Sequence, residues 1–352
     1  MLRKTAVLAF ALCFALQGAA QEGVYINGSD TLHYSYTPLP EQPQPQKRLS
    51  FPRRVVKYFE GSTRDRTFEK KIDFSFIGAP NYSKEASVGI GVLASGLYRV
   101  DRTDSLTPPS DVSFFGNFSL SGFYMFGVSG NTLFNHNRSR VIYEVSFGSK
   151  PLEFWGIGYE AGRFNQSADY IRKQVKFDAG YLYEVWRHLY VGGSVLFSHT
   201  KGTDFDDWGI DYLAGQKLHY TLSGIGMTLQ YDSRDFIPAP ERGTFLMVKQ
   251  VIYPKGLGNS GKTLYKTTAT ADYYQRLWRG AVLATDIFGE FNSSGMPWCM
   301  LAELGGGYRM RGYYLGRYID NNILSCQIEY RQRIWRRIGC AVWGGAGNVF
   351  SS

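Results

Sequence analysis

From Ile72 onward, apolar and polar residues alternate in one run after another along the chain. In the run 175–185 the apolar positions are Val175, Phe177, Ala179, Tyr181, Tyr183 and Val185, and the polar ones include Lys176, Asp178 and Glu184. The runs 140–147 and 324–333 follow the same period of two. This period places successive side chains on opposite faces of an extended strand. The three runs therefore predict β-strands with one apolar and one polar face.

Ten more runs have the composition and spacing of strands. They lie at 72–79, 86–99, 111–121, 123–134, 189–200, 218–232, 243–253, 262–276, 280–291 and 339–350. The total is about thirteen, and many runs exceed the ~9–11 residues that suffice to cross a bilayer as tilted strands. Nearly every apolar face carries aromatic residues, and no helical segments remain to cover it, whereas a soluble sheet would bury that face against another layer. The pattern predicts an all-β fold, a transmembrane antiparallel β-barrel, over 72–352.

The first twenty residues have the pattern of a secretory signal peptide. Arg3 and Lys4 are followed by the apolar stretch 5–16 and by Gly18-Ala19-Ala20, a small-residue cleavage site. A signal anchor is the alternative, but the apolar stretch is shorter than the ~20 residues of a spanning helix. We expect a signal peptide at 1–20 and a mature chain that begins near Gln21.

The segment 21–71 has the composition of a periplasmic linker. Four prolines lie between Pro38 and Pro45, and several glutamines accompany them, which favours an extended chain. The short basic segment 53–71 predicts one amphipathic helical turn around Val55 and Phe59. About fifty residues separate the cleavage site from the first strand, too few for a string of periplasmic domains.

Composition narrows the class of protein further. Aromatic residues make up 16% of the chain, which contains 40 glycines and has a mean hydropathy of -0.25. Barrels concentrate aromatic residues at the membrane interfaces. We assign the formal net charge of +9 to turns, lumen and neighbouring anionic lipid headgroups, and not to nucleic acid, which a secreted protein rarely meets. Beyond the signal peptide, Cys299, Cys326 and Cys340 are an odd set at unrelated spacings, which favours neither disulfides nor a metal site.

The connections between the predicted strands are of two kinds. Those at 186–189, 276–280 and 334–339 are tight and pair a tryptophan with arginine, while those at 149–168, 201–217 and 293–320 are longer. Short periplasmic turns that alternate with longer extracellular loops are typical of outer-membrane barrels. With the tight turns in the periplasm, the glycine-rich stretch 305–314 starts outside the cell, and Arg311 can dip into the lumen.

Three short motifs occur in order along the predicted barrel. They are Tyr231-Asp232-Ser233-Arg234-Asp235-Phe236-Ile237-Pro238 with Gly243 after it, Met310-Arg311-Gly312-Tyr313, and Ala346-Gly347-Asn348-Val349-Phe350. In that order, they resemble the turn between the eighth and ninth strands, the sixth extracellular loop, and the end of the thirteenth strand of the BamA/TamA family. These are outer-membrane assembly factors, also called bacterial surface antigens. The resemblance covers about 72–350, and the eleven strands predicted before Arg311 agree with the family's register.

The resemblance implies a barrel of sixteen strands in which Arg311 reaches inside and pairs with a carboxylate on the twelfth or thirteenth strand. Glu329 faces the lumen in the predicted alternation and is the expected partner. An arginine in a narrow lumen needs a bidentate acceptor, because otherwise its charge is uncompensated. The alternative is that Arg311, Gly312 and Tyr313 belong to a solvated surface loop. Many family members have a lumenal aspartate where this chain has Gly345, so the resemblance does not extend to a clamp of two carboxylates.

The resemblance is also limited in length. Large members of the family carry periplasmic POTRA domains, for which 21–71 leaves no room, so the chain resembles the compact form of the family. Its sequence ends at Ser352, directly after the thirteenth predicted strand, where the family adds three more. An open sheet leaves backbone groups unpaired in lipid, at several kcal/mol each. We therefore expect a barrel that is incomplete at its C-terminus.

Enzymatic and metal-binding functions have weaker support. A phospholipase of the outer membrane would use a serine-histidine pair, for which His199 beside Ser198 or His219 near Ser223 are the candidates, but no G-x-S-x-G motif is present. The acidic run 204–207 lacks the ligand spacing of an EF-hand loop. We expect no catalytic residue, no metal and no cofactor.

Two functions remain open. In the first, which the resemblance implies, the barrel assists the insertion or export of other outer-membrane proteins in a Gram-negative bacterium. Its surroundings are then outer-membrane lipid and lipopolysaccharide, and its partners are client outer-membrane proteins. In the second, it is a passive channel or structural barrel without assembly activity.

Overall fold

The computed structural model describes residue 50 and residues 67–83, 87–105, 107–134, 136–237, 239–335 and 338–351. Except for residue 50 and 67–71, the predicted signal peptide and the predicted linker lie outside the described residues. The helical turn predicted around Val55 therefore lies outside them as well. Residues 67–71 form a turn directly before the first strand. No helix in the described ranges is long and apolar enough to cross a membrane.

Thirteen strands form one antiparallel sheet in which each strand lies beside its neighbours in sequence. They are β1 (Asp73–Ser83), β2 (Ser87–Tyr98), β3 (Ser110–Ser119), β4 (Tyr124–Phe134), β5 (Ser139–Phe154), β6 (Ala168–Trp186), β7 (Leu189–Thr203), β8 (His219–Asp232), β9 (Gly243–Tyr253), β10 (Leu264–Trp278), β11 (Ala281–Asn292), β14 (Asn322–Trp335) and β15 (Ile338–Phe350). Between β11 and β14 the chain forms a separate pair, β12 (Ala302–Leu304) and β13 (Tyr318–Asp320). The predicted all-β antiparallel sheet of about thirteen strands is confirmed. Within the described residues, β1 and β15 are not paired with each other.

The two faces of the sheet differ in polarity. On one face large apolar side chains are exposed, as for Phe147 (50%) and Ile328 (48%). On the other face charged side chains meet, as where Lys249 Nζ lies 2.7 Å from Asp178 Oδ2. Asp178 is on β6 and Lys249 on β9, and neighbouring strands lie ~4.8 Å apart, so the pair meets only because the sheet curves around its polar face. We call the polar face the inner face and the apolar one the outer face.

The tightest and the longest connections lie at opposite ends of the sheet. At one end two residues join β6 to β7, β10 to β11 and β14 to β15. At the other end the long connections follow β5, β7 and β11. We call these the turn end and the loop end. Because alternate connections fall at opposite ends of an antiparallel sheet, β1 begins at the turn end.

The connections at the loop end fold into an apolar cap. They contain helices α1 (Tyr159–Phe164) and α2 (Asp207–Tyr212) and a 3-10 turn, Trp298–Met300. The apolar side chains of the cap share one buried cluster with the strand ends below it, including Leu152, Phe154, Tyr170, Phe205, Leu213, Leu222, Tyr253, Trp298 and Leu301. At its centre Trp298 is 2% exposed, and the rings of Tyr170 and Phe205 stack with centroids 4.6 Å apart.

Two of the predicted loops at the loop end are wrong in their bounds. Strand β5 continues to Phe154 and β7 to Thr203, so the connections predicted at 149–168 and 201–217 are shorter than expected, and each contains a helix. The reason lies in the polarity of the inner face. In the middle of β5 an inner position holds Glu144, but near the loop end the inner positions hold Leu152 and Phe154, which are buried against the cap. Near the loop end of β5 both faces therefore carry apolar residues, and the polar–apolar alternation that identifies a strand in the sequence is lost.

Candidate functional site

The connection 293–321 between β11 and β14 folds back over the inner face. Its short pair β12 and β13 belongs to a second buried apolar cluster, formed by Ala302, Leu304, Met310, Ile323 and Val349. Ile323 lies on β14 and Val349 on β15, so the cluster holds the base of the connection against these two strands. We call residues 305–314 of this connection the inner loop.

Glycines with positive φ allow the inner loop to turn sharply. Gly305, Gly306 and Gly312 have φ angles of 108°, 110° and 119°, which residues with a side chain rarely adopt. A Cβ atom on Gly305 would lie 2.8 Å from the carbonyl oxygen of Tyr313, so the two arms of the loop approach too closely for a side chain. The backbone N–H of Tyr313 donates to Met310 O at 3.1 Å and closes the turn that contains Arg311.

Arg311 contacts Glu329 on the inner face of β14. Its Nη2 atom donates to Glu329 Oε2, and its guanidinium lies 4.3 Å from the ring centroid of Trp343 on β15. Glu329 also accepts a hydrogen bond from Arg331 Nε at 2.6 Å and is 13% exposed. Arg311 Nε is buried and has no hydrogen-bond partner among the described residues. The two predicted residues thus lie together, and their functional role stays a prediction.

A second arginine of the inner loop, Arg309, makes a two-pronged ion pair. Its Nε atom lies 2.9 and 3.0 Å from the two carboxylate oxygens of Asp286 on β11, and its Nη2 atom lies 2.8 Å from Oδ2. The guanidinium also lies 4.1 Å from the ring centroid of Phe288. Such a two-pronged, charge-assisted contact combines strength with a fixed orientation. Sequence reasoning missed this pair, although Asp286 occupies an inner position of an alternating strand and Arg309 precedes Arg311 by two residues.

The spacing of these contacts matches the register of β11 and β14. Asp286 is paired with Gln327, and Glu329 follows Gln327 by two residues on the same face. Gln327 Nε2 in turn donates to the carbonyl oxygen of Tyr308 at 3.1 Å. The backbone at 308 and the side chains at 309 and 311 therefore bind three neighbouring inner positions of two paired strands.

Nearer the loop end, β12 is tied to β6 by a further ion pair. Arg172 Nη2 lies 2.7 Å from Glu303 Oε1, and Arg172 also donates to the hydroxyl of Tyr170 at 2.8 and 3.1 Å. Burial would raise the pKa of Glu303, but the charge of Arg172 and its hydrogen bond outweigh that effect and hold the pKa below its usual value. In the neighbouring cap, burial raises the pKa of the Cys299 thiol to about 12. Cys299 is therefore an inert, protonated thiol at neutral pH.

At the turn end, Asp232 is the centre of a buried network of charges. Its Oδ2 atom accepts from Arg140 Nη1 at 2.7 Å and from Arg234 Nη2 at 3.0 Å, while Oδ1 accepts from Arg234 Nε at 2.8 Å. The side chains of Arg140 and Asp232 are only 4% and 1% exposed. Arg140 also donates to the hydroxyl of Tyr190 at 3.0 Å. The network joins β5, β7, β8 and the turn after β8, and only Asp232 and Arg234 of it were singled out from the sequence.

Asp235 and Gly243 shape the connection between β8 and β9. Asp235 Oδ1 accepts backbone N–H groups of Phe236, Glu241 and Arg242 at 2.9, 3.0 and 3.3 Å. Gly243 has a φ of 111°, and a Cβ atom there would lie 2.4 Å from the carbonyl oxygen of Ser233. These residues hold the backbone of the connection, and no hydrogen bond or ion pair in the described parts of the chain joins them to Arg311 or Glu329.

The histidine and acidic candidates have structural contacts. His199 Nδ1 lies 2.8 Å from Thr221 Oγ1 across the β7–β8 pair. Asp206 Oδ2 accepts the backbone N–H of Asp169 at 2.9 Å and so ties the start of α2 to β6. Within the described ranges, no three side chains of the metal-binding types form a group that could hold an ion.

Comparisons with known proteins agree with this architecture. The solved structure of BamA from Haemophilus ducreyi lacking POTRA domains 1-3 is similar with a TM-score of 0.50 at 12% sequence identity. The match covers 80% of this chain and 58% of that one, so the chain spans somewhat more than half the length of that protein. At this identity the likeness concerns the fold alone, which is that of an antiparallel β-barrel. A search of curated proteins gave no match.

A family match gives the second comparison. The Omp85 superfamily domain matches residues 106–352, which is more than half of the chain and includes the turn after β8, the inner loop and β15. The match thus contains every candidate residue described above. The chain belongs to the Omp85 superfamily.

Proposed function

We propose that this protein assists the insertion or export of other outer-membrane proteins in the outer membrane of a Gram-negative bacterium. Membership of the Omp85 superfamily and the barrel fold shared with BamA support the proposal. The observation that carries it is the inner loop, which two ion pairs fix to β11 and β14. A loop held in this way braces the strands beside β15 while other parts of the wall move.

Strand β15 needs such a brace because its own packing is weak. Residues 344, 345 and 347 are glycines, which contribute no side-chain contacts and lose much conformational freedom on folding. Val349 is held by the cluster around Ala302 and Leu304, and Trp343 lies over Arg311. In the proposed mechanism the seam between the first and last strands of the barrel is the gate, and the inner loop braces the wall at β11, β14 and β15 while that seam opens.

The proposed surroundings follow from the two faces. The outer face contacts outer-membrane lipid and lipopolysaccharide, and the turn end faces the periplasm, from which client proteins arrive. The mechanism needs no cofactor and assigns no catalytic role to any residue. Arg311, Gly312 and Tyr313 form the turn that reaches the wall, and Glu329 receives it.

A passive channel or structural barrel is the second candidate. It is favoured by the charged side chains that meet on the inner face, such as Lys249 and Asp178, which suit a water-filled lumen. Under this alternative, the ion pairs of the inner face only stabilise the wall of a pore.

A reconstitution experiment separates the two. The full chain is inserted into lipid vesicles, an unfolded eight-stranded barrel is added, and its folding is followed by gel mobility. We expect the client to fold several-fold faster than in vesicles that contain an unrelated barrel of similar size, and Arg311→Ala to remove much of that gain. Equal client folding with both proteins contradicts the assembly role, and conductance in planar bilayers would then support the channel.

A further inference from the structure

Three hairpins at the turn end repeat one local sequence. In each, the first strand ends with an aliphatic residue and a tryptophan, and an arginine and one further residue connect it to the second strand. The three are Val185-Trp186-Arg187-His188-Leu189, Leu277-Trp278-Arg279-Gly280-Ala281 and Ile334-Trp335-Arg336-Arg337-Ile338. All three connections close at the same end of the sheet, so the repeat forms part of one rim.

The same backbone device accompanies each repeat. The strand register shifts between Glu184 and Trp186, between Arg276 and Trp278, and between Arg333 and Trp335. Each shift marks a β-bulge, which interrupts the alternation of faces and re-aims the next side chain. In the two turns that the structure describes, His188 and Gly280 have positive φ angles of 65° and 81°.

The bulge turns the tryptophan toward the outer face. Trp278 would be an inner residue by strict alternation, but its indole Nε1 donates to Gln332 at 3.2 Å and its ring lies 6.1 Å from that of Tyr330, an outer residue of β14. The three tryptophans are all exposed: Trp186 by 76%, Trp278 by 57% and Trp335 by 63%. An indole at such a position, with its apolar ring toward lipid and its N–H toward water, suits the membrane interface.

An arginine next to each tryptophan adds a positive charge to the rim. Arg187 and Arg279 are exposed immediately beyond the tryptophans, and Arg336 holds the same place in the sequence of the third repeat. On the same rim, Arg138 Nη2 lies 3.4 Å from the hydroxyl of Tyr183, an exposed residue of the outer face. A guanidinium beside an interfacial aromatic ring is placed to bind a phosphate oxygen with charge-assisted hydrogen bonds.

We infer that the two described repeats, 185–189 and 277–281, form a binding rim for the headgroups of anionic phospholipids in the leaflet at the turn end, and from its sequence we expect the third repeat to extend this rim. The tryptophan contacts the glycerol and upper acyl region of the lipid, and the arginine next to it binds the phosphodiester. Charge complementarity favours this occupant, because each repeat contains one or two arginines. An acidic side chain beside the first repeat, Glu184, accepts the backbone N–H of His188 within the turn. The inference needs the barrel to lie in a membrane but does not depend on whether it assembles other proteins.

Lipid-specific quenching of tryptophan fluorescence tests the rim. The full chain is placed in vesicles of phosphatidylcholine and phosphatidylglycerol in which one or the other lipid carries brominated acyl chains. Comparing the two gives the enrichment of phosphatidylglycerol around the tryptophans. For each arginine we expect an enrichment at its own site of up to about fivefold at low salt, which decreases as salt screens the charges.

A charge-matched pair of variants provides the control. The triple variant Arg187→Gln, Arg279→Gln and Arg336→Gln should lose the enrichment, whereas Arg163→Gln, Lys201→Gln and Lys255→Gln, at exposed positions of the loop end, should keep it. Heat-dependent gel mobility shows that both variants are folded. Equal quenching by the two lipids in the parent protein overturns the inference, as does an unchanged enrichment in the rim variant. Inorganic phosphate should compete no better than chloride at equal ionic strength, and stronger competition by phosphate also overturns it.

Discussion

Arg309 and Asp286 form a two-pronged ion pair between the inner loop and β11, with contacts of 2.8 to 3.0 Å. Directly across from Asp286 in the sheet lies a second carboxylate, Asp272 of β10. Arg309 therefore neutralises a place where two acids would otherwise face each other. The Arg309–Asp286 pair therefore stabilises the β10–β11 part of the sheet as well as the inner loop.

Mutation of Arg309 and mutation of Asp286 should lower the stability by different amounts. Arg309→Ala leaves Asp272 and Asp286 facing each other without the guanidinium that binds Asp286, whereas Asp286→Asn leaves a single carboxylate at this place. Because both partners are partly exposed, we expect Arg309→Ala to lower the free energy of unfolding by about 1–3 kcal/mol and Asp286→Asn to lower it by less. Heat-dependent gel mobility measures both variants. A larger effect of Asp286→Asn would contradict this account.

Arg311→Ala should loosen the inner loop. It removes the ion pair with Glu329 and the contact with Trp343, and leaves Glu329 with Arg331 alone. We expect faster proteolysis after Tyr308, which is 82% exposed, and a lower transition temperature in the gel assay. Arg311→Lys should restore little of the loss, because an ammonium group lacks the planar surface that lies over the indole. Protease resistance and heat-modifiability equal to the parent's would refute the role of Arg311.

The buried network at the turn end should matter more for stability than either contact of the inner loop. Asp232→Asn leaves Arg140, which is 4% exposed, without its carboxylate partner. Removal of one partner of a buried ion pair typically costs about 3–5 kcal/mol. Urea unfolding monitored by tryptophan fluorescence would measure the change, and Asp211→Asn, at an exposed position of α2, is the matched control. Similar midpoints for the two variants would show that the network is dispensable.

Three glycines of the inner loop offer a graded test of its backbone. At Gly307 φ is ordinary and nothing lies within 4 Å of an added Cβ, so Gly307→Ala should be neutral. At Gly312 the space is also open but φ is 119°, so Gly312→Ala should cost about 1–2 kcal/mol through backbone strain alone. Gly305→Ala adds a 2.8 Å approach to the carbonyl oxygen of Tyr313 and should cost most. Any other order of transition temperatures would argue against the loop conformation.

Acid should weaken the attachment of β12 to β6. The pKa of Glu303 lies below its usual value of 4.5 because Arg172 stabilises the carboxylate. Its contribution to stability is therefore complete above about pH 4.5 and is lost as the pH falls through the lowered pKa of the folded state. Glu303→Gln should remove this part of the pH dependence.

The buried thiol of Cys299 reports on this attachment. In a background with Cys326→Ser and Cys340→Ser, which change exposed residues, a pyridyl disulfide reagent should reach Cys299 only when the cap opens. We expect its reaction to accelerate below pH 4.5 relative to the rate in denaturant at the same pH. A ratio that does not change with pH would show that the Arg172–Glu303 pair does not hold the cap.

The sequence predicted the strands well where lipid and water determine the side chains. Lys176 and Asp178 alternate with Val175 and Phe177 because one set faces inward and the other outward, and this contrast can be read without a structure. The strand ends under the cap could not be read, because Leu152 and Phe154 are apolar on the inner side. Their environment comes from α1, α2 and Trp298, which are distant in sequence.

The candidate site was predictable in part for the same reason. Glu329 could be placed on the inner face from the alternation of β14, and the structure puts it beside Arg311. The pairs of Arg309 with Asp286, Arg140 with Asp232 and Arg172 with Glu303 depend on which strands curve toward each other. Local pattern does not contain that information, since the residues of the last two pairs are separated by 92 and by more than a hundred positions.

The order of side chains in the inner loop restricts how its length can change. Arg309 and Arg311 bind carboxylates, and Met310 between them is buried in the apolar cluster with Val349. A shift by one residue would bring a thioether to a carboxylate and an arginine into the apolar cluster. Insertions should therefore be tolerated at the exposed residues 294–295, before the 3-10 turn, and not at 308–311. The inner loop can therefore bind the wall in only one register.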